Sequence, residues 1–494
     1  MHHDLRSWLS LMDEQGELVY VDGADWHLEI GVVSELWGSG AQALLFDRIK
    51  GYPEGYRVLT NALNAPQRIS QTVGLPPIYS KVELVRALRE KFRNPELIDP
   101  VQVEWGPVLE NVAEGSEVDL YRFPTPFFHE HDGGRFIGTG SLGIMRDPET
   151  GWVNFGAYRL QIHDRNHTGI YITLGKHGHM ILEKYWAQGK ACPIAVSVGH
   201  DPLLFIVSGV EIPYGVSEYA YAGALRNAPV EVLVEPVTGL PIPAHAEIVL
   251  VGEIWPEPLV EEGPFGEWTG YYASGAKFKP QVHVKKILHR NQPILLAAAP
   301  GKPPSDNTYF RSPIKSAAIW DELEKAGVPG VKGVWLHEAG GGRLWLIVSI
   351  EQMYPGHSKQ AGHIAAHCHQ GAYSNRFVVV VDEDIDPGNT DDVLWAMATR
   401  TDLRWDIDII HRTWTTPNDP MHFPEDEFKD VFNSRMIIDA CRPWERRKTF
   451  PLVASSSPEL KEQVAQRWQH LFRQRVEKTG PAEPLPATGE VAAQ

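Results

Sequence analysis

From the N-terminus the apolar positions recur at helical spacing. Leu5, Trp8, Leu9 and Met12 share one face of a helix predicted over residues 4–14, with Asp4 as its cap. Residues 18–21 read as a short strand and 82–92 as a charged amphipathic helix, so an N-terminal α/β domain is predicted over 1–117. From residue 118 the period changes. Turn clusters such as Asp132-Gly133-Gly134 and residues 147–151 separate short apolar runs at 170–173, 203–207, 230–234 and 248–251. Short strands between turns predict an antiparallel barrel or sandwich over 118–305. Pro300, Pro303, Pro304 and Pro313 mark a linker, set at 306–320. Two continuous apolar runs, 344–350 and 377–381, alternate with helix-like sequence and predict a buried sheet in a C-terminal α/β domain over 321–456. Ser457-Pro458 opens a last helix, 457–479, whose stripe of Leu460, Val464, Trp468, Leu471, Phe472 and Val476 must dock on this chain or on a partner subunit. The Pro/Ala/Glu-rich tail, 480–494, is predicted to be disordered.

The length of 494 residues agrees with this multidomain α/β reading, being too great for one core. A net charge of −17 argues against nucleic acid and anionic membrane surfaces as partners. Arg442, Arg446, Arg447 and Lys448 form the one basic cluster, too short to reverse that. Three widely spaced cysteines, Cys192, Cys368 and Cys441, make no disulfide framework and suit a reducing cytoplasm. No apolar run reaches the roughly 20 residues of a membrane span, and the N-terminus carries no signal pattern.

The most telling residues for chemistry are Glu262-Gly263-Pro264-Phe265-Gly266-Glu267, preceded by Glu261. Gly and Pro force a tight bend that can bring two carboxylates into one pocket. Held close, such a pair cannot ionise independently and can hand over a proton near neutral pH. A surface turn is the default for any two glutamates, but the aromatic continuation from Trp268 to Tyr272 argues for a walled site. Upstream, Asn154-Phe155-Gly156-Ala157-Tyr158-Arg159 offers a hard carbonyl oxygen and a guanidinium able to grip a carboxylate with two parallel bonds. Gly175-Lys176-His177-Gly178-His179 reads as a loop with two candidate metal ligands, and Glu218 adds a carboxylate. Asn, His and Glu together suit Mn2+ or Mg2+ better than zinc. Lys359 is a candidate phosphate contact.

Three other patterns carry less. His363 and His367 have zincin spacing but lack the glutamate that follows the first histidine. Gly340-Gly341-Gly342 precedes a strand instead of joining strand to helix, so it is no dinucleotide loop. The acids of 382–386 read as a solvated loop, with a metal site as the sharper alternative.

In order and spacing, these segments resemble the UbiD-type decarboxylases, which depend on prenylated FMN. The resemblance runs over roughly 5–475 through Asn154 to Arg159, the His177/His179 segment, Ser208-Gly209, Gly215-Val216-Ser217-Glu218, Glu262 to Glu267 and Lys359. It implies a central split β-barrel of flavin-reductase type between two α/β domains, with the terminal helix used in a homodimer or larger homo-oligomer. Arg159, Glu262 and Glu267 resemble the family's catalytic Glu-Arg-Glu network. Asn154, His177 and Glu218 resemble its Mn2+ ligands, with His179 as the alternative histidine and K+ often alongside. Phe155, Ala157, Tyr158, Arg159, Lys176, Ser208, Gly209 and Lys359 join these as implied cofactor contacts. The implied activity is reversible, non-oxidative decarboxylation of an aromatic or heteroaromatic acid, releasing CO2, in the cytoplasm, with a separate flavin prenyltransferase supplying the cofactor. Phenolic and acrylic acids are alternative substrates within the family. A flavin-free, metal-dependent hydrolase at the histidine segment is the alternative from another class.

Overall fold

The computed structural model describes residues 2–273, 275–298, 300–421 and 431–471. The first helix, Leu5–Glu14, forms as its pattern predicts: Leu5, Trp8, Leu9 and Met12 are all buried. Asp4 accepts from the Ser7 amide while the Ser7 hydroxyl accepts from the Asp4 amide, so two orphan donors of the first turn are satisfied reciprocally. The helix lies by a four-stranded sheet in the order Leu18–Asp22, Ala43–Asp47, Arg57–Thr60, Ile294–Leu296. Its last strand comes from far downstream and pairs parallel with Arg57–Thr60. The N-terminal sheet is therefore completed by chain that has already passed through the central region.

The central sheet carries the architecture. Seven strands follow one path, Val153–Gly156, Ser141–Arg146, Cys192–Val198, Ile248–Glu262, Lys277–His289, His167–Tyr171 and Arg159–Ile162, and Asn111–Glu114 pairs with the fifth. No closed barrel forms among the described residues, since the path has two ends. Those ends, however, are Val153–Gly156 and Arg159–Ile162, which only Ala157 and Tyr158 separate. Three peptide steps span at most about 10 Å, so the sheet must bend round until its two edges meet. Alternate residues of its strands enter two different cores: Ala195, Val249 and Val251 face one, and Ile194, Val196, Ile248 and Leu250 the other. This period of two follows from the pleat.

Two further sheets complete the molecule. A small one joins 241–243, 231–234 and 101–102. The C-terminal sheet has the order Val331–Leu336, Trp345–Ile350, Phe377–Asp382, Phe432–Ala440, Ile407–Trp414, parallel at its centre and antiparallel at both edges.

Several expectations are corrected. Residues 203–207, expected as a strand, are inside the helix Pro202–Ser208, because Asp201 caps it and Pro202 occupies its first turn. The 306–320 stretch, expected as a linker, carries the helices Asp306–Tyr309 and Arg311–Lys325. Lys176 to His179 is not a loop: His177 opens the helix His177–Ala187. The acids after 381 do form the expected solvated turn, with Glu383, Asp384 and Asp386 exposed, and only Asp382 is buried; Asp382 and Asp384 bind Arg400 and Asp382 also binds Arg442. The last helix spans Pro458–Arg467; Leu460 and Val464 on it and Trp468 and Leu471 just beyond it are exposed. Phe472, Val476 and the 480–494 tail lie outside the described residues. Among those described, no helix is long and apolar enough to cross a membrane.

Candidate active site

The two edges of the central sheet bring the chemistry together. Arg159 opens one edge strand, and Glu262 closes the long strand Ile248–Glu262. Arg159 Nε donates to Glu262 Oε1 at 2.6 Å and its Nη2 to Oε2 at 2.8 Å, the parallel two-bond geometry expected of a guanidinium and a carboxylate. Its remaining arm, Nη1, donates to Glu267 Oε1 at 2.9 Å. Glu262 is fully buried and Glu267 nearly so. Burial opposes the charge on Arg159, but the two carboxylates outweigh it and hold the guanidinium firmly protonated. Tyr171 and Phe265 cover the cation with ring centroids 4.8 and 5.7 Å away, an attraction that strengthens where water is excluded.

The turn that presents Glu267 is pinned from outside. Gln161 accepts from the Gly263 amide at 2.7 Å, and Gly133 donates to the Pro264 carbonyl at 2.7 Å. A Cβ on Gly133 would stand 1.9 Å from the Gly263 oxygen, so only glycine fits there. Phe265 stacks on Phe136 at 3.8 Å, anchoring the turn in the second core. The Asp132-Gly133-Gly134 cluster, read from sequence as punctuation, is thus the support of the carboxylate turn.

At the other edge, Asn154 and Glu218 meet. The Asn154 amide donates to Glu218, and the Phe155 backbone donates to the second carboxylate oxygen at 3.3 Å. Burial pushes the Glu218 carboxyl up to about 7 despite these bonds, and Asn154 Oδ1 is buried with no hydrogen-bond partner. Two hard oxygen donors without a cation are what a divalent ion would satisfy. His177 occupies the same corner, packed edge-on against Trp152 at 5.1 Å, and the Trp152 indole donates to the Val216 carbonyl, two residues before Glu218. No hydrogen bond or ion pair joins His177 to Glu218. His179, two positions on along the helix, turns to Glu183 at 3.5 Å.

The other expected contacts divide. The Tyr158 ring packs where Gly143, Gly156 and Gly178 leave room, locking the start of the 177–187 helix to the sheet edge, and burial raises its hydroxyl's pKa. Phe155 turns its ring into the first core against Tyr219, leaving only its backbone for the site; Ala157 packs on the same core. Ser208 and Gly209 end the Pro202–Ser208 helix, with Gly209 hard against the Phe310 ring. Lys359 donates to Asp408 at 2.9 Å.

Four residues were missed by sequence reasoning. Asn418 donates to Glu267 Oε2 at 2.8 Å, and its only sequence signal is a turn-forming Pro-Asn-Asp run. Arg311, Lys315 and Arg343 join Lys176 in one cluster, where they act on one another and on Glu211. Of these only Lys315 is buried, Arg311 and Arg343 are half-buried and Lys176 is exposed, and clustered cations of this kind favour an anion nearby. The oxygen pair at Asn154 and Glu218 is the feature that fits a phosphate-bearing flavin held through a metal.

Comparison with known proteins identifies the family. Residues 9–88, 100–303 and 308–440 match the N-terminal, Rift-related and C-terminal domains of 3-octaprenyl-4-hydroxybenzoate carboxy-lyase, the UbiD family. A pyrrole-2-carboxylic acid decarboxylase of Pseudomonas aeruginosa is 33% identical across 94% of this chain and 97% of its own length. A phenolic acid decarboxylase of a Streptomyces species is 30% identical across 96% of this chain and 100% of its own. Among solved structures, the UbiD-class enzyme HmfF from Pelotomaculum thermopropionicum, in complex with FMN, superposes with a TM-score of 0.83 at 30% identity, covering 93% of this chain and 98% of that one. The open form of Sedimentibacter hydroxybenzoicus vanillic acid decarboxylase gives 0.82 at 28%, covering 95% and 99%.

Proposed function

The chain belongs to the UbiD family and is a carboxy-lyase of that family, and from that premise we propose that it decarboxylates an aromatic or heteroaromatic acid, reversibly and without net oxidation, through Glu262, Arg159 and Glu267. The observation that carries this reading is the buried guanidinium shared between two carboxylates on opposite sides. Loss of CO2 from an sp² carbon leaves electrons that no side chain can accept; prenylated FMN, when bound, supplies that sink. The chain's own residues do the rest. Arg159 orients the departing carboxylate and, clamped by Glu262, keeps its plane fixed. Glu267, less buried and held by Arg159 and Asn418, delivers the proton to the ring carbon after CO2 leaves. Run backwards, the same group removes that proton for carboxylation.

Asn154, His177 and Glu218 would hold Mn2+ against the flavin phosphate, with K+ alongside, and the orphaned Asn154 oxygen supports this assignment. In the split-barrel layout of this reading, the cofactor lies at the seam where the sheet edges meet. A separate prenyltransferase supplies the modified flavin, and the exposed stripe of the last helix forms a homo-oligomer contact. Production with a flavin prenyltransferase, followed by the visible spectrum, the mass of the released cofactor, metal analysis and CO2 release from pyrrole and phenolic acids, tests the proposal. Prenylated FMN with Mn2+ and CO2 from at least one acid is the expected result. Protein that stays flavin-free under those conditions refutes it.

A further inference from the structure

The Glu262, Arg159 and Glu267 centre sets one cation against two carboxylates. By itself it sums to −1, or to zero when Glu267 carries the proton it delivers, in a chain already at −17. Neither sum draws in an anion, so a carboxylate substrate needs further positive charge close to the centre. The strand Lys277–His289 supplies it. Val282 and Val284 of this strand enter the second core, so by the two-residue alternation Lys277 and Lys279 lie on the opposite face. Arg159 and Tyr171 share that face, because Leu160, Ile162 and Ile170 are the core-facing residues of their strands. Across the sheet, Glu262 is the register partner of Lys277, and Val260 that of Lys279.

One ring ties Lys279 to the centre. Its Nζ stands 4.5 Å from the Tyr171 ring centroid, and the Arg159 guanidinium carbon stands 4.8 Å from the same centroid. The two cations therefore lie within about 10 Å of each other, about one Debye length at ordinary salt. Lys279 makes no ion pair or hydrogen bond among the described residues, and both it and Tyr171 are half-buried. The ladder is open at this point. The strand His167–Tyr171 pairs with the lysine strand only from Gln281 to His283, and Pro280, next in line, has no amide to extend the pairing. Side chains, not backbone bonds, thus link Lys279 to Tyr171. Burial first, then neighbouring positive charge, lowers the pKa of both lysines; Glu262 and Arg159 act on Lys279, and Glu267 and Arg159 on Lys277. A bound anion would relieve that strain on both.

We propose that Lys279, with Lys277 beside it, is a specificity residue of this centre: it draws the reacting carboxylate of the acid to Arg159 and gives the neutral ring left after CO2 departs no comparable hold. This rests on the decarboxylase reading and deepens it. The two lysines turn the local sum from −1 to +1. The preference they create is a charge effect acting over a distance, not a fitted contact. For unit charges about 10 Å apart, at effective dielectric constants between about 20 and 80, it amounts to about 2- to 20-fold in affinity.

The test is calorimetry on cofactor-loaded protein with pyrrole-2-carboxylate and 4-hydroxybenzoate, each against its primary amide, at low and high salt, alongside Lys279→Met and Lys279→Arg. The parent is expected to bind at least one acid more tightly than its amide at low salt. Lys279→Met should cut that margin about 2- to 20-fold and change amide affinity less than twofold, while Lys279→Arg keeps most of it. High salt should narrow the margin in the parent more than in Lys279→Met. In CO2 release the loss appears in KM. A parent with no acid margin, or with one that salt leaves unchanged, overturns the proposal whether or not the variants fold. So does a margin that survives in Lys279→Met or is lost equally in Lys279→Arg. Equal weakening of acid and amide would make Lys279 a packing partner of Tyr171, and loss of flavin would assign it to the cofactor; either sinks the proposal. CO2 release is scored separately: a margin that depends on Lys279 without CO2 from any acid refutes the decarboxylase reading and leaves the carboxylate guide standing.

Discussion

Glu262 and Glu267, the proposed catalytic pair, are bound by the same arginine, yet their conversion to glutamine should have opposite consequences. Glu262 is fully buried, and both of its oxygens accept from Arg159, at 2.6 and 2.8 Å. In Glu262→Gln the amide nitrogen must face an Arg159 N–H, donor against donor. Reorienting the amide only moves the clash to the other arm. A buried pair broken from one side costs about 3–5 kcal/mol, because the remaining charge stays buried. At about 2–4 °C per kcal/mol for units of a few hundred residues, the melting temperature should fall by roughly 6–20 °C. Glu267 is different. One oxygen accepts from Arg159 Nη1 and the other from Asn418 Nδ2. In Glu267→Gln the oxygen can stay on Arg159 while the Asn418 amide rotates to accept from the new nitrogen, so the stability cost is about 1 kcal/mol. The proton, however, is gone, and turnover should fall about 10²–10⁴-fold. Thermal unfolding, flavin content and CO2 release on both variants check the pair. Equal melting temperatures would refute the geometric argument, and Glu267→Gln with undiminished turnover would refute the role of Glu267.

Two more expectations follow from other parts of the site. Gly133→Ala, whose new Cβ would press on the Gly263 carbonyl, should cost about 1–3 kcal/mol of stability and at least about 100-fold in turnover with both glutamates intact; unchanged turnover would show that the turn needs no support. Lys315→Met should stabilise the protein in a pH-dependent way. Burial and the facing Arg343, Arg311 and Lys176, opposed only by Glu211, press Lys315 down to about 7 from an ordinary value near 10.5. A lysine whose folded pKa is lowered destabilises the fold fully below that pKa, and the penalty shrinks as pH rises toward the unfolded value. Its ceiling is about 5 kcal/mol. The melting temperature gained by the variant should therefore be largest at pH 6 and fade by pH 10, and a gain that grows with pH would contradict the placement of Lys315 among cations.

What could be read from the sequence and what could not separates along a physical line. The Leu5–Glu14 helix, the strands at 18–22, 345–350 and 377–382, and the Glu262–Glu267 turn were legible because their signals are local: a period, a cap, or a glycine-proline bend. Residues 203–207 failed because a short apolar run has no period that separates a buried strand from a buried helix, and the deciding signal, Asp201-Pro202, lay just outside it. The proline-rich 306–320 stretch failed likewise, since Pro313 is tolerated in the first turn of its helix, where its missing amide would have had no partner. Glu262 and Glu267 could be singled out from their spacing, but the contact of each with Arg159 spans more than 100 positions and needs the fold. The cationic cluster was not legible at all. Arg311, Lys315 and Arg343 look like surface charges until the Gly341-Gly342 turn is seated between Trp268 and Ser312.

The seam of the central sheet explains why this chemistry and this fold belong together. The edge strands Val153–Gly156 and Arg159–Ile162 are neighbours in sequence and opposite ends of the hydrogen-bonded path. Asn154 on one and Arg159 on the other are thus fixed relative to each other by only four intervening residues, while each is braced by its own long-range partner, Glu218 and Glu262. On the proposed reading, a metal-and-phosphate anchor at Asn154 and a reacting centre at Arg159 must be held at constant separation to within a fraction of an ångström. Two residues of backbone between two rigid strands achieve that without a loop whose motion would blur it. Had the sheet closed, interstrand hydrogen bonds would have occupied the edges of both strands; left open, the seam frees the backbone beside Asn154 and Arg159 to face a ligand. On that reading the open path is the structural condition for the proposed site, and inserting a single glycine after Ala157 should uncouple metal retention from turnover more severely than any one side-chain change there.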